Sequence, residues 1–186
     1  MSWAGPPPPR RIATERFLLR RYEPGDAPLL KEAVDSSIDH LRPFMPWTPA
    51  EPQPLEDSVE VLRGFAAQFD SGEQFVFGIF ARGERELLGG TGLHPRIGPG
   101  ALEIGYWVRA SAVRRGVATE ATATLARVAF DVCRADRVEL RIDPANVASL
   151  GVPRKLGFVE TGYDPERALK IFSLVRSASE SSTTSA

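Results

Sequence analysis

The sequence predicts an α+β fold, a mixed but mostly antiparallel sheet flanked by helices. Two observations carry this. From about residue 12 to residue 176, strand-like alternation and helix-like spacing of apolar residues follow one another with no long linker and no repeat of fixed period. Three strand signals, at 75–80, 87–93 and 102–108, are separated only by short turns, the order of adjacent antiparallel strands. At 186 residues the chain has the size of one domain, and a domain of that size buries roughly 70% of its extended surface. We expect a single domain over 12–176, a flexible proline-rich lead-in over 1–11 and a disordered Ser/Thr tail over 177–186.

Each element has its own signal. Phe17-Leu18-Leu19-Arg20-Arg21-Tyr22 reads as a first strand. Pro24-Gly25-Asp26 ends it, with Asp26 a candidate N-cap and Pro28 in the first turn of a helix running to about Leu41. Pro43, Pro46, Pro49, Pro52 and Pro54 deny the next stretch regular hydrogen bonding, so it is expected as a loop carrying Phe44, Met45 and Trp47. Leu55, Val59, Leu62, Phe65 or Ala66, and Phe69 recur at helical spacing, and Gly72 supplies a stop. Phe75–Phe80 and Leu87–Leu93, joined by Arg82-Gly83-Glu84-Arg85, predict a hairpin, and Leu102–Val108 continues it after the Gly98-Pro99-Gly100 turn. Ala118, Ala121, Leu125, Val128 and Val132 place an apolar stripe on a helix over about 116–133. Arg137–Ile142 alternates cleanly, Asn146 is suited to cap a short helix ending at Gly157, and Phe158–Thr161 and Lys170–Val175 close the chain as strands.

Composition removes several classes of function. Hydrophobic residues make up 42% and charged residues 25%, with 23 Lys+Arg against 24 Asp+Glu, so neither a disordered chain nor a basic nucleic-acid binder is expected. Apolar runs fall far short of the ~20 residues of a membrane span, and Pro6–Pro9 stand where a signal core would be, so the expected location is cytoplasmic with no membrane partner. The single Cys133 allows no internal disulfide, and His40 and His94 give no zinc-site spacing; no metal is expected.

The most informative stretch runs from Val108 through Arg109-Ala110-Ser111-Ala112-Val113-Arg114-Arg115-Gly116-Val117-Ala118-Thr119 into the amphipathic helix. A loop that turns into a helix N-terminus aims unpaired N–H groups and the positive end of the dipole at one point, which favours an anion such as phosphate. Gly116 and Ala118 are small enough for a diphosphate to approach the backbone, while Arg109, Arg114 and Arg115 add positive charge. The bland alternative is a basic, solvated loop capping an ordinary helix. Neither Gly-x-x-x-x-Gly-Lys-Ser/Thr nor Gly-x-Gly-x-x-Gly is present, which removes the common triphosphate and dinucleotide readings.

Val113-Arg114-Arg115-Gly116-Val117-Ala118 resembles the acyl-CoA loop of the GNAT acetyltransferases, Gln/Arg-x-x-Gly-x-Gly/Ala, with Val113 departing at the usually polar first position. Glu103-Ile104-Gly105-Tyr106-Trp107-Val108, Ala118-Thr119-Glu120-Ala121, and Asn146-x-x-Ser149 leading to Lys155-Leu156-Gly157-Phe158 are similar to the RimJ/RimL branch of protein N-terminal acetyltransferases. So are Thr14-Glu15-Arg16-Phe17-x-Leu19-Arg20 and His40-Leu41-x-Pro43-Phe44-Met45-Pro46-Trp47. The resemblance implies a GNAT fold, with the sheet splayed between the strands at 102–108 and 137–142 and the acetyl-CoA thioester entering the gap.

It also implies site residues. The diphosphate would sit on the backbone of Arg114, Arg115, Gly116, Val117, Ala118 and Thr119, Asn146 would bond the pantetheine arm, Lys155 would reach the adenosine phosphate, and an N–H near Val108 would hold the carbonyl oxygen. Glu103 is the first candidate for the base, directly or through water, and His94 its rival, while ordinary structural roles stay open for both. Many GNAT enzymes place an acidic tyrosine seven residues after the asparagine, where this chain has Pro153; in the RimJ/RimL branch a serine takes that part, and Ser149 matches it. Pro153 also removes the N–H that would bond the Ser149 carbonyl, so a kink is expected there. Phe44, Trp47 and His94 are candidates for acceptor binding. The acceptor would be an amine. An α-amine, with a reference pKa of about 7.7–8.0, is partly neutral near pH 7.5, whereas a lysine near 10.4 needs more help. A small-molecule amine and a CoA-sensing module without turnover are the alternatives, and a homodimer is left open by a branch whose members are often dimers.

Overall fold

The computed structural model describes residues 2–176, so the tail expected at 177–186 lies outside the described residues. Eight strands form one sheet: β1 (Arg11–Ala13), β2 (Phe17–Arg21), β3 (Phe75–Ala81), β4 (Leu87–His94), β5 (Ala101–Val108), β6 (Arg137–Ile142), β7 (Val159–Asp164) and β8 (Leu169–Val175). Across the sheet they run β1-β2-β3-β4-β5-β6-β8-β7, and every neighbouring pair is antiparallel except β5 with β6. The helices are α1 (Ala27–Asp35), α2 (Ile38–Leu41), α3 (Leu55–Ser71), α4 (Val117–Asp131) and α5 (Val147–Leu156). No helix among the described residues is long and apolar enough to cross a membrane.

Helices cover both faces. On one, Val117, Ala121, Leu125 and Ala129 of α4 pack on Leu102 and Ile104 of β5 and on Val138 and Leu140 of β6, all 2% exposed or less. The other face buries Leu18, Phe80 and Leu87 of the sheet against Ala33 of α1 and Leu62 of α3. Burial of each large side chain contributes about 1.5–3 kcal/mol, which makes these two layers the main stabilising feature. Cys133 follows α4 and is fully buried, and desolvation pushes its thiol up to about 12, leaving an inert packing group.

Four local features differ from the sequence expectations. β1 was not expected, because three residues carry too little periodicity, yet it pairs with β2 from Arg11 against Arg20 onward. Trp3, read as part of a loose lead-in, packs on the core and its backbone N–H donates to the Gly72 carbonyl at 2.8 Å. The helix expected to run to Leu41 breaks at Ser36 and Ser37, where the buried Ser37 hydroxyl accepts from the Ala110 N–H at 2.9 Å and ties this break to the end of β5. Asp26 does not cap α1 with its side chain; its carboxylate takes two 2.7 Å hydrogen bonds from Arg20 and one from the Glu23 N–H.

The feature that positions the site is an interrupted ladder. β5 and β6 pair only from Ala101 against Arg137 to Glu103 against Glu139, although β5 continues to Val108 and β6 to Ile142. Beyond Glu103 the sheet splits. The Arg109 N–H donates to the Leu88 carbonyl, which makes 88 and 109 a hydrogen-bonded pair of the β4–β5 register. Alternation along an antiparallel ladder then gives Gly90 with Trp107 and Gly92 with Gly105 as the next bonded pairs. Ile104, Tyr106 and Val108 consequently turn their main-chain N–H and C=O groups away from β4, toward the gap.

Candidate active site

The candidate anion loop lies at the N-terminus of α4. Gly116 is its N-cap at φ 76° and Arg114 precedes it at φ 59°, a left-handed path that glycine adopts freely and that turns the chain sharply into the helix. Arg16 braces the loop from behind. Its guanidinium donates to the Arg115 carbonyl at 2.8 Å and to Glu120 at 2.7 Å, and Glu120 also accepts from the Thr14 hydroxyl and the Arg16 N–H. Burial pushes the Glu120 carboxyl up, but these bonds outweigh it and hold it below its usual value. Arg114 and Arg115 are exposed beside the small residues Gly116 and Ala118, so the chemistry of this loop fits a diphosphate. Arg109, expected to add charge there, does not: it is 8% exposed and donates to Glu32 of α1 at 2.5 and 2.9 Å, fastening α1 to the end of β5.

On the far wall of the gap, Asn146 caps α5, its Oδ1 accepting from the Ser149 N–H at 3.1 Å. Ser149 is half-buried and lines the cavity described below. Pro153 sits inside α5 and leaves the Ser149 carbonyl without its helical donor. Tyr106, reaching across from β5, supplies one: its hydroxyl donates to that carbonyl at 3.3 Å. Burial pushes the Tyr106 hydroxyl up to about 12, with the bond to Ser149 pulling the other way, so it stays protonated. Sequence reading found Pro153 and its orphaned carbonyl but not the tyrosine that answers it, because Tyr106 lies on another element. Lys155 stands with Arg154, both exposed, in the last turn of α5.

Opposite the loop, a cavity of about 1070 Å³ opens against β4 and β5. The structure brings Phe44, Trp47, His94, Glu103, Asn146 and Ser149 to its lining, six candidates from four separate segments. Trp47 meets Trp107 edge to face, ring centroids 6.0 Å apart. Gly90 of β4 lies on its floor, where a Cβ would stand 2.4 Å from the Trp107 Nε1, and a Cβ at nearby Gly92 would stand 2.9 Å from the His94 Nε2.

His94 and Glu103 are cross-strand partners on this floor. Glu103 is 4% exposed and is held by Arg96 in a two-point pair, 3.0 Å to Nε and 2.6 Å to Nη2, with Arg141 and Arg167 3.8 and 3.9 Å away. Burial would raise its carboxyl, yet the hydrogen bonds and charge of Arg96, reinforced by Arg167 and His94, bring it below the usual range. Glu103 is therefore an ionised counter-charge at neutral pH. Burial, with the Arg96 charge adding and Glu103 opposing, pushes His94 down to about 4, so its imidazole is neutral there. Arg96, Arg141, Arg167, Gln74 and Trp107 belong to this site and were not found by sequence reading; only the dense glycines at 89, 90 and 92 of β4 signalled a close approach over the strand.

The acetyltransferase (GNAT) domain family matches residues 16–159. A probable N-acetyltransferase of Bacillus subtilis, YjcK, is 31% identical over 111 residues, a stretch covering 58% of this chain and 61% of that relative. Mycobacterium smegmatis RimJ in complex with CoA-disulfide superposes with a TM-score of 0.80 at 22% identity, covering 95% of this chain and 91% of that one. RimL, described as a ribosomal L7/L12 α-N-protein acetyltransferase in complex with coenzyme A, superposes at 0.79 with 19% identity, covering 89% and 97%.

Proposed function

The chain belongs to the GNAT family of acetyl-CoA-dependent N-acetyltransferases, and from that premise we propose that it acetylates the α-amine of a protein or peptide N-terminus. The observation that carries this reading is the pairing of a deep cavity with weak bases. Neither Glu103, held ionised by Arg96, nor His94, near 4, can deprotonate a lysine-like ammonium near 10.4, whereas an α-amine near 7.7–8.0 brings its own neutral fraction. The RimL relative's name, an α-N-protein acetyltransferase, supports the same acceptor class.

When bound, acetyl-CoA supplies the activated acyl group; the chain supplies position and charge. The main chain of Arg114–Thr119 holds the diphosphate, with Arg114 and Arg115 adding charge and Lys155 at the adenosine end. Asn146 bonds the pantetheine arm with its amide nitrogen, its oxygen being committed to the Ser149 N–H. The Val108 N–H, turned into the gap, would donate to the thioester carbonyl oxygen, where negative charge develops. Ser149 would donate its hydroxyl to the departing sulfur. Phe44 and Trp47 wall the acceptor pocket. Glu103, opposite His94 and paired with Arg96, offsets part of the Arg96 charge and so favours a proton arriving on the imidazole.

Thiol release from acetyl-CoA, measured with peptides differing in their first residue and with a panel of small amines, tests this. Release with peptides and not with small amines is expected. Release with small amines alone would overturn the acceptor class, and silence with CoA binding intact would overturn turnover itself.

A further inference from the structure

The structure assigns the proton-accepting position of the cavity to Nε2 of His94, and assigns Gln74 and Gln68 the task of keeping that nitrogen unprotonated. This rests on the amine-acetylating reading above and deepens it.

Gln68 lies near the end of α3, and Gln74 follows the helix just before β3. The Gln74 amide nitrogen donates to Gln68 Oε1 at 2.6 Å, which leaves Gln74 Oε1 facing His94 Nδ1 at 2.9 Å. A carbonyl oxygen can only accept. With the two amides oriented this way Nδ1 carries the hydrogen, and because a neutral imidazole has one N–H, Nε2 is left with its lone pair. That nitrogen rests over a cross-strand pair of glycines: it stands 2.9 Å from where a Cβ of Gly92 would be and 3.5 Å from where one of Gly105 would be. Gly105 lies just beyond the last pairing of β5 with β6, at the edge of the gap. The charged groups around the ring are Arg96 and Glu103, with Arg141 of β6 and Arg167 behind the carboxylate, and Arg42 and Glu51 on the cavity lining contributed by the proline-rich segment.

The proton count closes through this nitrogen. The acceptor nitrogen forms the C–N bond with its lone pair, which makes its own hydrogen strongly acidic, and that proton passes to Nε2. The C–S bond breaks with its pair on sulfur, the thiolate takes up one proton from water, and Nε2 gives its proton back to water, so one N–H is lost, one S–H is gained and the imidazole ends neutral. A weak base suffices, since the proton leaves a nitrogen already acidified by bond formation. Gln74 and Gln68 touch no reacting atom and are positioning residues.

With only two histidines in the chain, ¹⁵N-histidine labelling with long-range ¹H–¹⁵N correlation reads the tautomer directly, His94 being assigned from the spectrum of His94→Gln. The wild type at pH 7 is expected to show protonated Nδ1 and bare Nε2; a dominant Nε2–H form overturns the relay whether or not any acceptor has been found. Gln74→Leu should lose the fixed tautomer and lower kcat at least ~10-fold with acetyl-CoA affinity unchanged. Gln74→Glu, which can only accept, should keep Nδ1–H and move the acidic limb of the rate profile to higher pH. His94→Gln should lower kcat by ~10²–10³-fold, the range of a general base. If His94→Gln acetylates peptides within threefold of wild type, the proton acceptor is another group and the function stands; if no amine is acetylated while the tautomer is as described, the glutamine-held tautomer stands and the proton-accepting role of Nε2 falls together with the proposed turnover.

Discussion

The two sides of the split sheet are built by different means. On the α4 side, recognition is made by backbone: one left-handed glycine, a helix N-terminus and a strand edge. On the cavity side it is made by side chains, Trp47, Gln74, His94, Arg96, Glu103 and Trp107, drawn from segments tens of residues apart. A backbone site would tolerate variation in its side chains, such as Val113 at the usually polar first position, but would fail when a Cβ or a charge enters it. The side-chain site behaves the other way, since each group depends on the group behind it.

Substitutions can break or sharpen this contrast. The largest effect is expected for Gly116→Asp, which adds a side chain and an anion where a diphosphate would lie; CoA affinity measured by calorimetry should fall ~1000-fold, about 4 kcal/mol, and a loss under threefold would move the diphosphate elsewhere. Next is the pH dependence of stability. His94 falls from an ordinary 6.5 to about 4 on folding, so between those values the unfolded chain binds a proton that the folded chain refuses. Stability is thus full above about 6.5 and declines as pH falls toward 4, by on the order of 3 kcal/mol. Urea titrations at pH 7 and pH 4.5 should show much of this loss in the wild type and little of it in His94→Gln.

Glu103→Gln removes the fixed negative charge opposite His94 and should lower kcat about tenfold, about 1.4 kcal/mol, leaving acetyl-CoA affinity unchanged. An unaltered kcat would take Glu103 out of the chemistry. Tyr106→Phe should cost about 1 kcal/mol in urea unfolding by orphaning the Ser149 carbonyl. In a Pro153→Ala background, where the alanine N–H restores the helical bond, the same change should cost a few tenths; equal costs in both backgrounds would deny the link. Smallest is Lys155→Ala, exposed at the end of α5, expected to weaken CoA binding less than threefold.

The same contrast decides how much was legible in the sequence. Elements with long periodic signals, α3, α4 and β3 to β6, were predicted within a few residues, and the glycine stops at 72 and 157 fell where left-handed caps occur. The loop that turns into α4 at Gly116 was legible because all its parts are consecutive. Asn146 was legible as a cap for the same reason. Arg109 misled because an arginine beside a phosphate loop and an arginine pairing with Glu32, 77 residues away, look alike until the chain is folded. The glutamine pair was invisible: two amides six residues apart across a helix end carry no pattern until His94, twenty residues on, closes the chain of bonds.

The early end of the β5–β6 ladder also has a consequence for the protein's lifetime in solution. Two strand edges face each other there with main-chain donors and acceptors not satisfied by a neighbouring strand, and such edges are templates for pairing with another chain. A donor lodged between them closes that template, while adding RT ln(1 + [L]/Kd) to the folding free energy. The concentration of acetyl-CoA around this enzyme should therefore govern its resistance to aggregation as well as its rate of turnover.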